Sequence, residues 1–362
     1  MTEPAVSFSA PGKIIVIGEY AVLEGGAAYV RAVDVRARAR VRPRAAGSLL
    51  EAPDIGVPAI EFSTAPGGHI LWQGAEQSPS RVPSALGLAA AVLSDAFSDA
   101  PPRPCRIGLD TSEFFGETRQ GAREKIGLGS SAAVTVALHA AARRWACGED
   151  AGPHDVASTL VRLQALHRHH QGGRGSGLDI AASLHGGTFV YRRGDPHPAL
   201  IPVPLPPGLE LLCVWSGRSA STGGFLERLS VWRRRNERAY ERYMGELSRI
   251  AEDGIKAATS RDPAAFRMAL REYTRSLDGL GAATSLPIVS PVHRRIERLA
   301  SKHGLTYKPS GAGGGDIGIA VADDPRATRR FQEAVESDGF LVLSCPETPV
   351  GLRYEEETGD AG

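Results

Sequence analysis

The stretch KIGLGSSAAVTVA, residues 125–137, sets two glycines and two serines directly before an alanine-rich run. Serine is a favoured helix-capping residue, so the pattern predicts a helix from Ser130 to about Cys147. Backbone N–H groups at a helix N-terminus bind anions, and glycine lets a phosphate approach them closely. The stretch therefore predicts either a phosphate-binding loop or a helix that is simply capped by serine.

Other well-known phosphate loops fit this stretch less well. It contains the dinucleotide pattern GxGxxA, but the preceding ETRQGAREKI is not a convincing strand. The chain also lacks the pattern GxxxxGK[ST] and the protein-kinase motifs HRD and DFG. We therefore do not expect a dinucleotide-binding fold, a P-loop or a protein kinase.

Two more glycine-rich segments and an aspartate accompany this stretch. SAPGKIIVIGEYAVLEGG, residues 9–26, places Lys13 on a strand before a turn, and SGAGGGD, residues 310–316, precedes an apolar strand. Because glycine costs conformational entropy, we interpret SGAGGGD as backbone that crowds against a charged ligand. In QGGRGSGLDIAASLHGG, residues 171–187, Asp179 is either a helix N-cap or a group that orients or deprotonates a hydroxyl in phosphoryl transfer.

Composition limits the classes of partner and compartment. The 362 residues are 42% hydrophobic and 23% charged, with a net charge of +1, so we expect neither a nucleic-acid nor a membrane partner. The N-terminus lacks the pattern of a secretory signal, which favours a cytoplasmic location. Four widely spaced cysteines predict reduced thiols rather than a zinc site or disulfides.

Hydrophobic periodicity predicts interleaved strands and helices, and therefore an α/β or α+β class. Strands are expected at 5–9, 13–18, 27–43, 186–193, 209–215, 316–323 and 340–345. Helices are expected at 83–98, 130–147, 153–171, 223–260, 263–278, 290–303 and 325–338. The proline-rich segment LIPVPLPPG, residues 200–208, indicates a domain boundary.

Taken together, these segments resemble the motifs of the GHMP kinase superfamily. PGKIIVIGEYAVLEGG, GLGSSAA and SGAGGGD occur in the family's order, and the resemblance spans about residues 7–350. Within the superfamily, KIGLGSSAA, LHRHHQGGRGSGLDIAASLHGG and KPSGAGGGDIGIAVADD are most similar to phosphomevalonate kinases of the bacterial type. The resemblance implies an α+β fold with a ribosomal S5 domain 2-like N-terminal domain, residues 1–200, and a ferredoxin-like C-terminal domain, residues 201–362.

The resemblance also implies a reaction, in which ATP with Mg²⁺ phosphorylates the phosphate of mevalonate 5-phosphate. The expected catalytic residues are Lys13, Lys125 and Asp179. The ATP phosphates would lie on Gly127, Leu128, Gly129, Ser130, Ser131 and Ala132, with Ser131 as the magnesium ligand. The expected substrate-binding residues are Tyr20, Ser176, Arg218, Ser310, Gly311, Ala312 and Gly313.

The first alternative at this stage is mevalonate kinase or another small-molecule kinase of the superfamily. Mevalonate kinases carry a magnesium-binding glutamate where this chain has Arg168, which argues against that activity and leaves the second metal ligand unidentified. An inactive binding protein with the same fold is the other alternative, although Lys13, the serine pair and Asp179 are all present. His167, His169 and His170 do not fit a zinc pattern, and His167 is expected to position the loop that follows it. Either a monomer or a homodimer is expected.

Overall fold

The computed structural model describes residues 5–73, 84–118, 120–148, 155–173, 175–195, 197–220 and 222–356. The strands within these ranges are β1 (Val6–Ile17), β2 (Ala28–Pro43), β3 (Ser48–Ala52), β4 (Val57–Thr64), β5 (Ile70–Trp72), β6 (Cys105–Asp110), β7 (Phe115–Glu117), β8 (Arg123–Lys125), β9 (Thr188–Arg192), β10 (Ala199–Pro202), β11 (Glu210–Trp215), β12 (Thr306–Pro309), β13 (Ile317–Ala322), β14 (Leu341–Leu343) and β15 (Arg353–Tyr354). The helices are α1 (Ser84–Ala96), α2 (Ser130–Cys147), α3 (Val156–His170), α4 (Leu178–His185), α5 (Thr222–Arg235), α6 (Glu237–Thr259), α7 (Pro263–Thr284), α8 (Pro291–Lys302) and α9 (Pro325–Ser337).

The larger sheet is built around β2. On one edge β2 pairs antiparallel with β1, and on the other it pairs with β9 and then with β6. The sheet continues from β6 through β3 and β4 to β5, and the β6–β3 pair is parallel. Apolar residues alternate with arginines along β2, so one face is buried while most arginines reach solvent. Helices α2 and α4 pack across β1 and β2, which brings their N-termini to this sheet.

The smaller sheet has the strand order β12-β13-β11-β14 and is antiparallel throughout. Helices α8 and α9 cover one side of it, where Ile296 and Phe331 are fully buried. On the other side, α6 and α7 share a core with the larger sheet. Tyr29 of β2 meets Phe266 of α7 edge to face, with ring centroids 6.0 Å apart. The two sheets therefore close around a common apolar core.

These elements confirm the α+β class, with several corrections to the predicted bounds. β1 is one strand rather than two, because a bulge between Pro11 and Gly12 lets pairing with β2 continue. The helical region predicted at 223–260 is two helices, since the backbone of Asn236 is not helical (φ −140°, ψ 43°). ETRQGAREKI, residues 117–126, contains the last residue of β7 and the short strand β8, and these two strands form a hairpin. Residue 83, residues 153–154 and the end of the predicted disordered tail, residues 357–362, lie outside the described residues.

The predicted domain limit at residues 200 and 201 falls within β10. That strand belongs to the larger sheet, and the smaller sheet begins at Glu210. Near the C-terminus the chain returns to the larger sheet, where β15 pairs with β1. The division into 1–200 and 201–362 stays a prediction. Among the described residues, no helix has the length and apolar character needed to cross a membrane.

Candidate active site

Two glycines shape the loop before α2. Gly127 has φ 94° and Gly129 has φ 85°, values that glycine adopts without strain. Gly129 is the N-cap of α2 and has no side chain to bind the first N–H groups of the helix. The N–H of Ala132 donates to the carbonyl oxygen of Gly129 at 3.1 Å, so the donors that lack an intrahelical partner at this end are the N–H groups of Ser130 and Ser131. The alternative in which Ser130 caps the helix is wrong, since Ser130 is its first helical residue.

Lys13 lies across this loop and fixes it to β1. Its backbone N–H donates to the carbonyl oxygen of Leu128 at 2.8 Å. At the preceding residue, Gly12, a Cβ would lie 2.7 Å from the same oxygen, so a larger residue would push the strand and loop apart. The Lys13 side chain packs over Gly129, where a Cβ would lie 3.3 Å from its Cε. Glycine therefore allows the lysine to reach the N-terminus of α2.

Asp179 faces Lys13 from α4. The Lys13 Nζ and Asp179 Oδ1 atoms are 3.2 Å apart, and their side chains are 10% and 30% exposed. Asp179 lies in the first turn of α4, whose N-cap is Gly177, so the N-cap alternative for Asp179 is wrong. One turn later, the Ser183 hydroxyl donates to the carbonyl oxygen of Pro11 at 2.8 Å. Because residues four apart share a helix face, this bond holds Asp179 against the strand that carries Lys13.

The hydroxyl of Ser131 is held by a histidine near the end of α3. Its Oγ lies 3.0 Å from Nε2 of His167, on α3. Burial lowers the pKa of His167, and nearby Asp179 opposes the shift. The ring is therefore neutral near pH 7 and can accept from or donate to the hydroxyl. This contact fixes the position of the predicted magnesium ligand.

The glycine cluster after β12 packs against the protein itself. A Cβ at Gly313 would overlap the carbonyl oxygen of Ile288, and a Cβ at Gly314 would lie 2.5 Å from Cζ of Phe225. By contrast, a Cβ at Gly311 would have no heavy atom within 4 Å. The interpretation that the whole cluster crowds against a ligand is therefore wrong for Gly313 and Gly314. Glycine is required at these two positions because the loop packs there against Ile288 and Phe225.

Two side-chain contacts hold this loop against β1. The buried Ser310 hydroxyl accepts from the N–H of Ile15 at 3.0 Å and donates to the carbonyl oxygen of Ile15 at 2.9 Å. The Tyr20 hydroxyl donates to the carbonyl oxygen of Ala312 at 2.5 Å. Ser310 therefore joins strand to loop, while Tyr20 fixes the loop at the edge of the site.

Two cavities meet at the Lys13–Asp179 pair. The first, which we call the phosphate cavity, is lined by Lys13, Phe114, Lys125, residues 127–132, His167, Gln171, Asp179, Ser219, Ala220 and Asp316. The second, which we call the acceptor cavity, is lined by Lys13, Ile15, Glu19, Tyr20, Val22, Leu23, Gln171, Gly175, Ser176, Leu178, Asp179, Leu226, Gly311 and Ala312. A group bound in either cavity would contact the same lysine and aspartate.

An apolar recess adjoins the phosphate cavity, and Asp179 is not among its lining residues. Its walls come from β3, α1, β6 and α2 and include Leu50, Leu88 and Val92. It shares Lys125 and the two serines at the start of α2 with the phosphate cavity. The recess and the acceptor cavity share no lining residue, and each shares residues with the phosphate cavity. The phosphate cavity therefore connects an apolar space to one lined by both charged and apolar residues.

Comparison with known families agrees with this arrangement. The family described as GHMP kinases N terminal domain matches residues 83–187, and the family described as GHMP kinases C terminal matches residues 255–340. The chain belongs to the GHMP kinase family. It is an ATP-dependent small-molecule kinase, as the sequence motifs predicted.

The relatives of this GHMP kinase include both phosphomevalonate kinases and mevalonate kinases. It is 28% identical to the phosphomevalonate kinase of Streptomyces sp. strain CL190, covering 94% of this chain and 96% of that one. It is also 28% identical to the mevalonate kinase of Aeropyrum pernix, covering 97% and 99%. Among solved structures it resembles the Streptococcus pneumoniae phosphomevalonate kinase in complex with phosphomevalonate and AMPPNP, with a TM-score of 0.72 and 18% identity over 96% of this chain and 100% of that one.

Most of the predicted site residues of this GHMP kinase lie in the two cavities. Tyr20, Ser176, Gly311 and Ala312 line the acceptor cavity, and the predicted nucleotide-binding residues with Lys125 line the phosphate cavity. Three predicted residues do not line the described walls of either cavity: Arg218, Ser310 and Gly313. The Arg218 side chain is exposed, and its carbonyl oxygen accepts from the N–H of Asp316 at 2.7 Å.

Sequence reasoning missed three charged residues at this site. Lys308 and Glu19 form a fully buried ion pair between β12 and the turn after β1. Asp316 ends the glycine cluster and lines the phosphate cavity. Burial raises the pKa of Asp316 to about 6, while the N–H of Ala220 and the charges of Lys13 and Lys125 oppose the shift. All three lie within or beside the quoted motifs, but motif membership alone does not reveal which side chains face the cavity.

Proposed function

We propose that this GHMP kinase transfers the γ-phosphoryl group of ATP to the phosphate of mevalonate 5-phosphate. An acceptor phosphate oxygen forms a bond to the γ-phosphorus, and the bond from that phosphorus to the oxygen bridging to the β-phosphate breaks. The products are diphosphomevalonate and ADP. The observation that carries the proposal is the Lys13–Asp179 pair, which lies in the wall common to the phosphate and acceptor cavities.

On the nucleotide side, the apolar recess suits the flat adenine base. The free N–H groups at the start of α2 suit the phosphates, and the loop glycines leave room for them. Magnesium prefers oxygen ligands, so the hydroxyl of Ser131 fits the metal, and the neighbouring hydroxyl of Ser130 is of the same kind. Bound Mg²⁺ would neutralise phosphate charge during transfer.

On the acceptor side, the reaction requires neutralisation of the phosphate charges more than it requires a general base. A phosphate acceptor is already an anion near pH 7, so it needs no deprotonation before it attacks. The Lys13 ammonium would contact both reacting phosphates, and Asp179 would hold that ammonium in place. Tyr20, Ser176 and the loop at Ala312 would position the rest of the acceptor.

The arginine at position 168 favours mevalonate 5-phosphate over mevalonate as the acceptor. By resemblance, mevalonate kinases carry a magnesium-binding glutamate at this position. Here the Arg168 Nε donates to the carbonyl oxygen of Gly175 at 3.2 Å, so a cation supports the loop that lines the acceptor cavity. A positive charge near that cavity favours an acceptor with an additional anionic group.

Mevalonate kinase is the second candidate function. The mevalonate kinase of Aeropyrum pernix is as similar to this chain as the Streptomyces phosphomevalonate kinase. With mevalonate as acceptor, Asp179 would take the proton of the attacking hydroxyl, and the same cavity would serve. A cytoplasmic location and a monomeric or homodimeric state complete the proposal, and both rest on composition and resemblance.

Release of ADP separates the two functions. Purified protein with ATP and Mg²⁺ should turn over with mevalonate 5-phosphate and not with mevalonate. Asp179→Asn should lower kcat about 100-fold, because an uncharged amide no longer holds the Lys13 ammonium in place. Asp253→Asn, an exposed change on α6, is the control and should leave kcat unchanged. Turnover with mevalonate alone would move the assignment to the second candidate, and no turnover with either would reject both.

A further inference from the structure

Asp316 places a carboxylate in the cavity that the proposed function gives to the ATP phosphates. Its side chain lies over the phosphate-binding loop, since a Cβ at Gly127 would be only 2.8 Å from Oδ2 of Asp316. The backbone is held in the left-handed region (φ 55°), which is unfavourable for a residue with a side chain. The conformation is therefore imposed by the surrounding fold, which directs the carboxylate toward this loop.

A fixed negative charge at this place opposes phosphate binding unless a cation offsets it. The cations that line the cavity do not offset it fully. Lys13 is already 3.2 Å from the carboxylate of Asp179, and Lys125 is exposed. Among the described residues of the cavity wall, Asp179 and Asp316 are the carboxylates. Asp316 is thus the carboxylate of this wall that has no lysine partner in contact.

We propose that Asp316 is a ligand of the Mg²⁺ that accompanies ATP, together with Ser131. The assignment rests on the proposed function, since it concerns the same site. A carboxylate oxygen and a serine hydroxyl are hard oxygen donors of the kind that magnesium prefers. Asp316 follows the glycine cluster before β13, whereas Ser131 lies in the first turn of α2 beside the larger sheet. A metal held by both residues would therefore connect the segment before β13 to the first turn of α2.

The competing explanation is purely structural. Asp316 Oδ1 accepts from the N–H of Ala220 at 2.9 Å, which alone could account for an aspartate here. Asn keeps an acceptor for that N–H and removes the charge. Asp316→Asn therefore separates the two explanations. Glu124→Gln is a matched control, because Glu124 accepts from the N–H of the adjacent Ser219 at 2.8 Å and does not line the cavity.

Binding of AMPPNP without any acceptor tests the metal directly. We would measure its dissociation constant by calorimetry, with Mn²⁺ as the probe metal and again in EDTA. We would also follow bound Mn²⁺ by electron paramagnetic resonance. Asp316→Asn should weaken binding of Mn²⁺–AMPPNP about tenfold or more, because a charged metal ligand is lost. In EDTA the same variant should bind AMPPNP more tightly than the wild type, because repulsion of the phosphates is removed. Glu124→Gln should match the wild type in both conditions.

The opposite signs of the two effects make the outcomes distinct. Equal weakening of the variant with Mn²⁺ and in EDTA would establish a structural role and overturn the proposal. Unchanged Mn²⁺–AMPPNP binding, with no change in the resonance spectrum, would also overturn it. Failure of the wild type to bind the nucleotide at all would reject the proposed function, and the metal role with it. Binding by the wild type with no effect of Asp316→Asn would reject the metal role alone.

Discussion

At the scale of single residues, Gly311 and Gly313 form a natural comparison. The φ angles are positive, 94° at Gly311 and 79° at Gly313, so an alanine would have similar backbone strain at either position. They differ in space, since a Cβ at Gly313 would overlap the carbonyl oxygen of Ile288, whereas a Cβ at Gly311 meets nothing within 4 Å. Gly313→Ala should lower the free energy of unfolding by about 1–3 kcal/mol more than Gly311→Ala, measured in urea.

This result would also decide what Gly313 does. The sequence indicated that Gly313 crowds against a charged ligand as part of SGAGGGD, so a larger residue there would be expected to impair activity rather than folding. Its contact with Ile288 predicts loss of stability instead. Equal losses for the two alanine variants would contradict this explanation.

At the scale of elements, Ser310 decides how the third motif attaches to β1. Its hydroxyl bonds both the N–H and the carbonyl oxygen of Ile15, at 3.0 and 2.9 Å, and is 3% exposed. Ser310→Ala should lower the free energy of unfolding by about 1–3 kcal/mol, because it leaves a buried N–H without a partner. Urea denaturation measures the change. Ser230→Ala is the control, since its hydroxyl contacts an exposed helix carbonyl and should cost less than about 0.5 kcal/mol. A loss no larger than the control's would show that the attachment does not depend on this hydroxyl.

The same elements show what sequence patterns determine. The alternating arginines of β2 and the alanine-rich run of α2 have the periodicities of a strand and a helix. The bounds of both elements were therefore predicted closely. The break at Asn236 has no glycine or proline to reveal it. The continuity of β1 depends on pairing with β2 across a bulge, and pairing partners are not encoded within the strand itself. Local patterns therefore predicted element types better than element ends.

For the site, the sequence identified candidate residues but did not show which of their side chains face the cavity. Lys13 and Asp179 are 166 positions apart, and their pairing depends on the Ser183 bond that fixes α4 to β1. Ser310 and Gly313 belong to the same motif as Ala312, yet they face Ile15 and Ile288 rather than the cavity. Which side chains of a glycine-rich loop reach a ligand is decided by the loop's neighbours, and these lie far away in the sequence.

At the scale of the whole molecule, the buried Glu19–Lys308 pair joins the two sheets beneath the acceptor cavity. Lys308 is fully buried on β12, and Glu19, 2% exposed, follows β1. Glu19 Oε1 also accepts from the N–H of Gly311 at 3.3 Å, so the pair supports the third motif. Lys308→Met should lower the free energy of unfolding by about 3–5 kcal/mol, because it leaves a buried carboxylate without its cation. Chemical denaturation at pH 7 measures the loss.

Removing both charges should restore much of that stability. In Glu19→Gln/Lys308→Met, the amide still accepts from Gly311, and no uncompensated charge remains buried. The double variant should therefore be more stable than the sum of the two single effects predicts, by about 1–3 kcal/mol. The exposed pair Arg249–Asp253 on α6 is the control, and its coupling should be below about 0.5 kcal/mol. Additive effects at Glu19 and Lys308 would mean that the two sheets are held together by their shared apolar core, and that this ion pair adds nothing to their association.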